Sequence, residues 1–286
     1  MSRHGIVPLV IGAAAALAVG ATPAPCQMLS NEIILTPRAI AMGSAITAGR
    51  NEIEFLVGNP AGLMQVGSNG GGAALAVSND LDSVVAGAIS RGGVSRPAGA
   101  FGFMHLEDDV NGFEDTVIGG GVATRPSDNL AVGLSIMHHS AKLTGMTAEK
   151  DKWTFDVGMQ YTFRPNKPNS PVLGASASNI TGETIPGTDA QTVFNVGAKL
   201  SLDPDGKVNV LADWVDVGDQ TEQGARFRAG VEARIEQGVL VRAGVNDGTG
   251  TLGIGYAARS WRVDAGWQND TSERRSLWVV GASTNF

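Results

Sequence analysis

The fold turns on residues 225–238, ARFRAGVEARIEQG. Taking every second residue puts Ala225, Phe227, Ala229, Val231, Ala233 and Ile235 on one side, and Arg226, Arg228, Gly230, Glu232, Arg234 and Glu236 on the other. Side chains alternate across a strand, so this is a β-strand with one apolar face and one charged face. A soluble sheet would bury the apolar face and wet the charged one. A closed sheet in a membrane reverses this, with apolar residues toward lipid and polar residues toward a lumen.

The same alternation recurs along the chain. KWTFDVGMQYTFRPN (152–166) sets Trp153, Phe155, Val157, Met159, Tyr161 and Phe163 against Thr154, Asp156, Gly158, Gln160 and Thr162. NLAVGLSIMHH (129–139), TVFNVGAKLSL (192–202) and WRVDAGWQ (261–268) repeat it, with turns rich in Asn, Asp, Gly or Pro between. No stretch after residue 70 has a period of 3.6. The reading is all-β, with about fourteen strands of about 9–11 residues, the length a tilted strand needs to cross a bilayer.

Composition agrees. The 286 residues are 43% hydrophobic and 17% charged, with 39 glycines and a net charge of −7. That is too apolar for a disordered chain, and its acidity argues against nucleic-acid partners. The single cysteine, Cys26, leaves no internal disulfide. Arg3 and His4 precede GIVPLVIGAAAALAVGA and small residues follow, the pattern of a signal peptide over 1–26. A lipoprotein reading of Cys26 competes, but Pro25 stands where a lipobox has Gly or Ala.

Three features favour a transmembrane antiparallel β-barrel over residues 70–286. The aromatics Trp153, Tyr161, Phe163, Trp261, Trp267, Trp278 and Phe286 fall near strand ends, as interfacial girdles do. Glycines lie mostly on the non-lipid face. The chain stops on LWVVGASTNF, where Trp278, Val280 and Phe286 share a face, resembling the C-terminal signal that engages the barrel-assembly machinery. If the last strand ends in the periplasm, the connections sort themselves. LEDDVNGFED, TGMTAEKDK, ITGETIPGTDAQ, VGDQTEQG and NDTSER become long, mostly acidic outer loops; RGGVSRP, RPSDN, RPNKPNSP, DPDGK and EQG become shorter inner turns. The expected surroundings are outer-membrane lipid and lipopolysaccharide. On the lumen side, Arg226, Arg228, Glu232, Arg234, Arg242, Arg262 and Asp264 are expected to form a charge ladder on one wall, tolerable only if paired or solvated.

Residues 27–69 break the strand pattern: TPRAIAMGSAITAGRNEIEFLVGNPAGLMQV has a Thr-Pro helix start, a run of small residues and an Asn-Pro turn. RAIAMGSAITA (38–48) and NPAGL (59–63), with ADWVD (212–216) and FRAGVEARIEQGVLVRAGVNDGTGTLGIGYAARSWRVDAG (227–266), resemble the FadL family of long-chain fatty-acid transporters and its PorV-like relatives. The resemblance implies a fourteen-stranded barrel whose N-terminal segment is an internal hatch, with Arg38, Met42, Gly43, Asn59, Pro60, Gly62 and Leu63 as hatch residues. Small inward residues on the first strands, such as Ala74, Ala76, Gly119, Gly121, Ala131, Gly133 and Ser135, lead us to expect residues 30–66 against the early strands.

Other motifs carry less. GTGTLG (248–253) spells a dinucleotide loop but lies between strands and opens no helix. His138 and His139 point to opposite faces and cannot share a metal, so no metal site and no cofactor is expected. Acidic loop residues such as Glu107, Asp108 and Asp109 suit a solvated surface. No catalytic constellation is legible. The leading functional expectation is an accessory or assembly barrel that binds secreted or surface proteins, because the lumen faces that read best are polar. A transporter of hydrophobic small molecules and a structural membrane anchor are the alternatives.

Overall fold

In the computed structural model, the described residues are 36–50, 58–66 and 69–285, apart from 78–80, 92–96, 109–111, 144–149, 166, 182–191, 220–223 and 271–274. The proposed signal peptide and Phe286 lie outside them.

Fourteen antiparallel strands follow one another in sequence order. They are β1 (Gly70–Val77), β2 (Leu81–Arg91), β3 (Ala98–Asp108), β4 (Phe113–Thr124), β5 (Leu130–Leu143), β6 (Lys150–Thr162) and β7 (Val172–Ser178), then β8 (Val193–Ser201), β9 (Val208–Val215), β10 (Arg226–Arg234), β11 (Val239–Asn246), β12 (Thr249–Ala257), β13 (Trp261–Asp270) and β14 (Arg275–Asn285). β14 pairs with β1 over Gly70↔Asn285 to Val77↔Trp278, which closes the barrel and leaves no sheet edge. The number of strands is the fourteen expected from the alternation. The connections β2–β3, β4–β5, β6–β7, β8–β9, β10–β11 and β12–β13 share one rim with the start of β1 and the end of β14, here the turn rim; the others form the loop rim.

The orientation read from residues 225–238 holds. Phe227 is 46% exposed, Trp153 52% and Val280 50%, all on the outer face, while Arg226, Arg228 and Arg242 are buried. Val231 and Ala233 share the outer face with Phe227, yet they are buried because Val210 and Val241 cover them. Aromatics form two belts. Trp267 pairs with Trp278, and Trp214 with Phe227, toward the loop rim. Tyr161 meets Phe163, and Tyr256 meets Trp261, toward the turn rim. Amphipathic rings at two heights suit two membrane–water boundaries.

Candidate functional site

The inner face divides into two unlike halves. β14 and β1–β5 contribute an apolar arc that includes Val85, Met104, Leu106, Val117, Met137 and Val279, all buried. The expectation of a lumen lined chiefly by polar groups fails on this side. These residues occupy the non-lipid positions of strands whose two faces are both largely apolar, so alternation hides them. β6–β13 supply the polar half, with Asp156, Gln160, Asp213, Arg228, Glu232, Arg242, Asp264 and Gln268 turned inward.

Between these halves run residues 36–50 and 58–66. Thr36 caps the short helix α1 (Pro37–Ala41): its Oγ1 accepts the Ala39 N–H at 3.3 Å, and Pro37 occupies the first turn, where its missing N–H costs nothing. Gly43 follows at φ 62°, and a Cβ there would strike the Val245 and Ala229 carbonyls, so only glycine fits. Further on, one oxygen of the buried Asp213 carboxylate accepts the Ile46 N–H at 2.7 Å and the Thr47 N–H at 2.8 Å. Gly43 donates to Thr251 Oγ1 at 3.1 Å, and that hydroxyl donates to the Ala41 carbonyl at 3.3 Å.

Asn59 organises the second piece. Its Oδ1 accepts the Ala61 N–H at 3.0 Å, starting the 3-10 turn Pro60–Gln65. Its Nδ2 lies 2.8 Å from the Thr47 carbonyl, 3.0 Å from that of Met159 and 3.2 Å from that of Ala175. A single side chain thus joins both described pieces to β6 and β7. Gln160 donates to the Thr47 and Gly49 carbonyls at 3.0 and 2.9 Å, and Arg125 to the Met64 carbonyl at 3.0 Å. Leu63 and Met64 are buried in the apolar arc.

The path of the segment corrects one expectation. Pro60–Gln65 does pack on β3–β6, but Pro37–Ala41 lies against β11–β14, on the late strands. The cause is the distribution of inward glycines. A Cβ at Gly133 or Gly158 would meet Pro60 or Asn59; at Gly174 or Gly197, Thr47; at Gly230 or Gly244, Met42; at Gly266, Pro37. The close-approach track therefore runs nearly around the barrel rather than along its first strands.

Of the expected hatch residues, Arg38, Met42, Asn59, Pro60, Gly62 and Leu63 are all buried, and Gly43 lies against β10 and β11. The structure brings four of the expected ladder residues together with Arg38. Glu232 Oε2 takes Arg38 Nε at 3.2 Å and Arg242 Nε at 2.7 Å; Asp264 takes Arg242 Nη1 at 2.7 Å and pairs with Arg262 Nε at 2.6 Å. Arg228 stands apart, donating to Asn246 at 2.9 Å, with Arg226 two residues away, while Arg234 is exposed at the turn rim. Trp278 and Val280 face outward on β14.

Sequence reasoning missed Asp213, Gln160, Thr251 and a buried trio on β4–β6. In the trio His139 Nδ1 is 2.9 Å from Asp115 Oδ2 and Nε2 is 3.2 Å from Thr154 Oγ1. An acid at an inward strand position opposite an arginine, as Asp213 is opposite Arg228, was the available signal. His138, as expected, faces away and stacks on Trp153.

Residues 72–268 match the outer membrane protein beta-barrel domain. The chain belongs to that family. This outer-membrane barrel shares its fold with FadL-type transporters. The Ralstonia pickettii toluene transporter TbuX aligns over 88% of this chain and 98% of its own at 14% identity, TM-score 0.65. The P. putida toluene transporter TodX aligns over 87% and 97% at 12%, TM-score 0.63. A Pseudomonas aeruginosa FadL homologue aligns over 93% and 100% at 9%, TM-score 0.61. No curated protein sequence matches the chain. Family and fold place the protein in the bacterial outer membrane, in contact with its lipid and lipopolysaccharide.

Proposed function

We propose that this outer-membrane barrel carries hydrophobic small molecules across the outer membrane. Residues 1–26 direct export, residues 27–69 form a hatch inside the lumen, and residues 70–286 form the barrel. The observation that carries the reading is the apolar inner arc, where Met104, Leu106, Val117 and Met137 meet Leu63 and Met64. An apolar solute loses its hydration there at little cost, and the flexible methionines can yield to irregular shapes. The fold shared with two toluene transporters supports it further and suggests monoaromatic hydrocarbons as first candidates. Asn59, Pro60, Gly62 and Leu63 act as the hatch turn, with Arg38, Met42 and Gly43 as its contact with the far wall. Trp278, Val280 and Phe286 engage the barrel-assembly machinery.

The accessory-barrel reading, with secreted or surface proteins as partners, drew on the polar character of the lumen faces that read best; the apolar arc weakens that ground. The neighbouring folds are channels and transporters, which favours a non-enzymatic role. The test is uptake of labelled toluene by cells lacking their own hydrocarbon porins, with and without this protein. Faster uptake on expression is expected. Uptake at the control rate, together with specific co-purification of a surface protein, would overturn the proposal in favour of the accessory role.

A further inference from the structure

At its loop-rim end the apolar arc is interrupted by three polar side chains. Asp115 stands opposite Leu106, His139 opposite Val117 and Thr154 opposite Met137, so each is the cross-strand neighbour of an arc residue. All three are buried, Asp115 at 0% exposure. A carboxylate only accepts, so His139 Nδ1 donates to Asp115 Oδ2 at 2.9 Å, while Nε2 lies 3.2 Å from Thr154 Oγ1. Asp115 Oδ1 accepts from no donor among the described residues. Lys152 stands opposite His139 on β6, but it has a partner of its own and gives Oδ1 no hydrogen bond. A structural lock is a poor account of the trio. β4 and β5 are already laddered from Phe113↔Leu143 to Thr124↔Val132, and β5 and β6 from Leu130↔Tyr161 to Ala141↔Lys150. Apolar side chains at these positions would continue the arc with no charge to desolvate. A buried carboxylate oxygen left open is costly unless a donor reaches it.

We propose that Asp115, oriented by His139, is a binding residue for cargo that joins an apolar body to one hydrogen-bond donor, the chemistry of a phenol. The inference rests on the transport reading above and narrows its substrate class. The ring lies against Leu106, Val117 and Met137, and the hydroxyl donates to Oδ1, a charge-assisted bond in a water-poor place. His139 occupies Oδ2 and holds the carboxylate still, so Oδ1 is the acceptor that remains. A plain hydrocarbon cannot satisfy it, and a fatty-acid anion is repelled by it. A site with an open buried acceptor separates a hydroxyl from its capped analogue better than an apolar pocket separates two similar shapes. Leu106 and Val117 are as enclosed as Asp115, so arc and acceptor open together, through the flexible side chains of Met104 and Met137.

The experiment uses the full chain folded in neutral detergent, dialysed to equilibrium with labelled para-cresol, para-methylanisole or toluene and compared with detergent alone. The anisole has the same ring and oxygen but no proton to donate. The wild type should bind para-cresol about tenfold more tightly than para-methylanisole, the order of one hydrogen bond to a charged group. Asp115→Val should erase that preference by weakening para-cresol alone. Asp115→Asn, which keeps the shape and a neutral acceptor, should leave an intermediate preference and carries the test should the valine variant not fold. A merely structural role would weaken all three ligands alike. Equal wild-type affinity for para-cresol and para-methylanisole would overturn the proposal, as would an undiminished preference in the folded variants. Toluene uptake is scored separately. Uptake above the control rate without a para-cresol preference sinks this inference and leaves transport standing. A para-cresol preference in a barrel whose uptake stays at the control rate supports the binding site and removes the transport reading.

Discussion

The carboxylate of Asp213 on β9 and the backbone amide of Thr47 are 2.8 Å apart, and the same oxygen also takes the Ile46 amide at 2.7 Å. An acid on the wall thus caps a turn of the inner segment, as a capping side chain does at a helix start. Both N–H groups are buried, so removing the acceptor leaves two unsatisfied donors. Asp213→Ala should destabilise the docked segment by about 2–4 kcal/mol. Asp213→Asn, which keeps one acceptor oxygen, should cost less. Limited proteolysis of the folded barrel should show faster cleavage within residues 36–66 in the order Ala, Asn, wild type. Equal cleavage in all three would mean that Asp213 does not anchor the segment.

The glycine track makes a sharper prediction. A Cβ at Gly230 would collide with the backbone of Met42, which has no flexible end to swing away. Gly230→Val should therefore displace residues 40–44 or destabilise the protein by about 1–3 kcal/mol. Gly99 faces outward with nothing within 4 Å of the corresponding Cβ, so Gly99→Ala should be silent. The readout is limited proteolysis of the folded barrel within residues 36–50. Cleavage should match the wild type in Gly99→Ala and be faster in Gly230→Val; equal cleavage in all three would mean that the track does not hold the segment.

Arg242 sits between two carboxylates at 2.7 Å each, and its side chain is fully buried. Replacing it with methionine leaves Glu232 and Asp264 facing each other without their shared cation. A buried pair broken on one side costs about 3–5 kcal/mol. Arg242→Met should lower stability by that order in urea unfolding from detergent. Adding Glu232→Gln to Arg242→Met should recover part of the loss, because two carboxylates no longer repel each other across the vacated position, although Arg38 then loses its charged partner. A double variant no more stable than the single would show that the network adds its energy elsewhere.

The strands were legible because a period of two is a local signal, and residues 225–238 display it within a single element. The route of the inner segment was not. Its anchors join positions far apart in sequence, 166 residues for Thr47 and Asp213 and 208 for Gly43 and Thr251. Its track is made of glycines, which carry no side chain to announce what they touch. Asn59 was legible as a turn residue, since Asn-Pro is a turn signal, but its bonds to the Met159 and Ala175 carbonyls depend on the register of β6 with β7. The apolar arc escaped notice for the opposite reason. Around Val85, Met104 and Val117 on β2–β4 both faces are apolar or small, and alternation there has little contrast to show.

That arc supports the last prediction. Met104 and Leu106 are buried on β3 beside Val85 and Val117, in the arc along which the proposed cargo would pass. Met104→Gln keeps the length of the side chain and sets an amide in the path. If the solute contacts this position, each 1.4 kcal/mol of lost favourable contact slows passage about tenfold; a loss of about 1 kcal/mol gives a drop of roughly fivefold. Phe101 is on the same strand but faces outward, 61% exposed, so Phe101→Leu should leave uptake unchanged. Initial rates of toluene entry, normalised to folded barrel in the outer membrane, separate the two. A Met104→Gln rate equal to that of Phe101→Leu would mean that cargo does not travel along the arc.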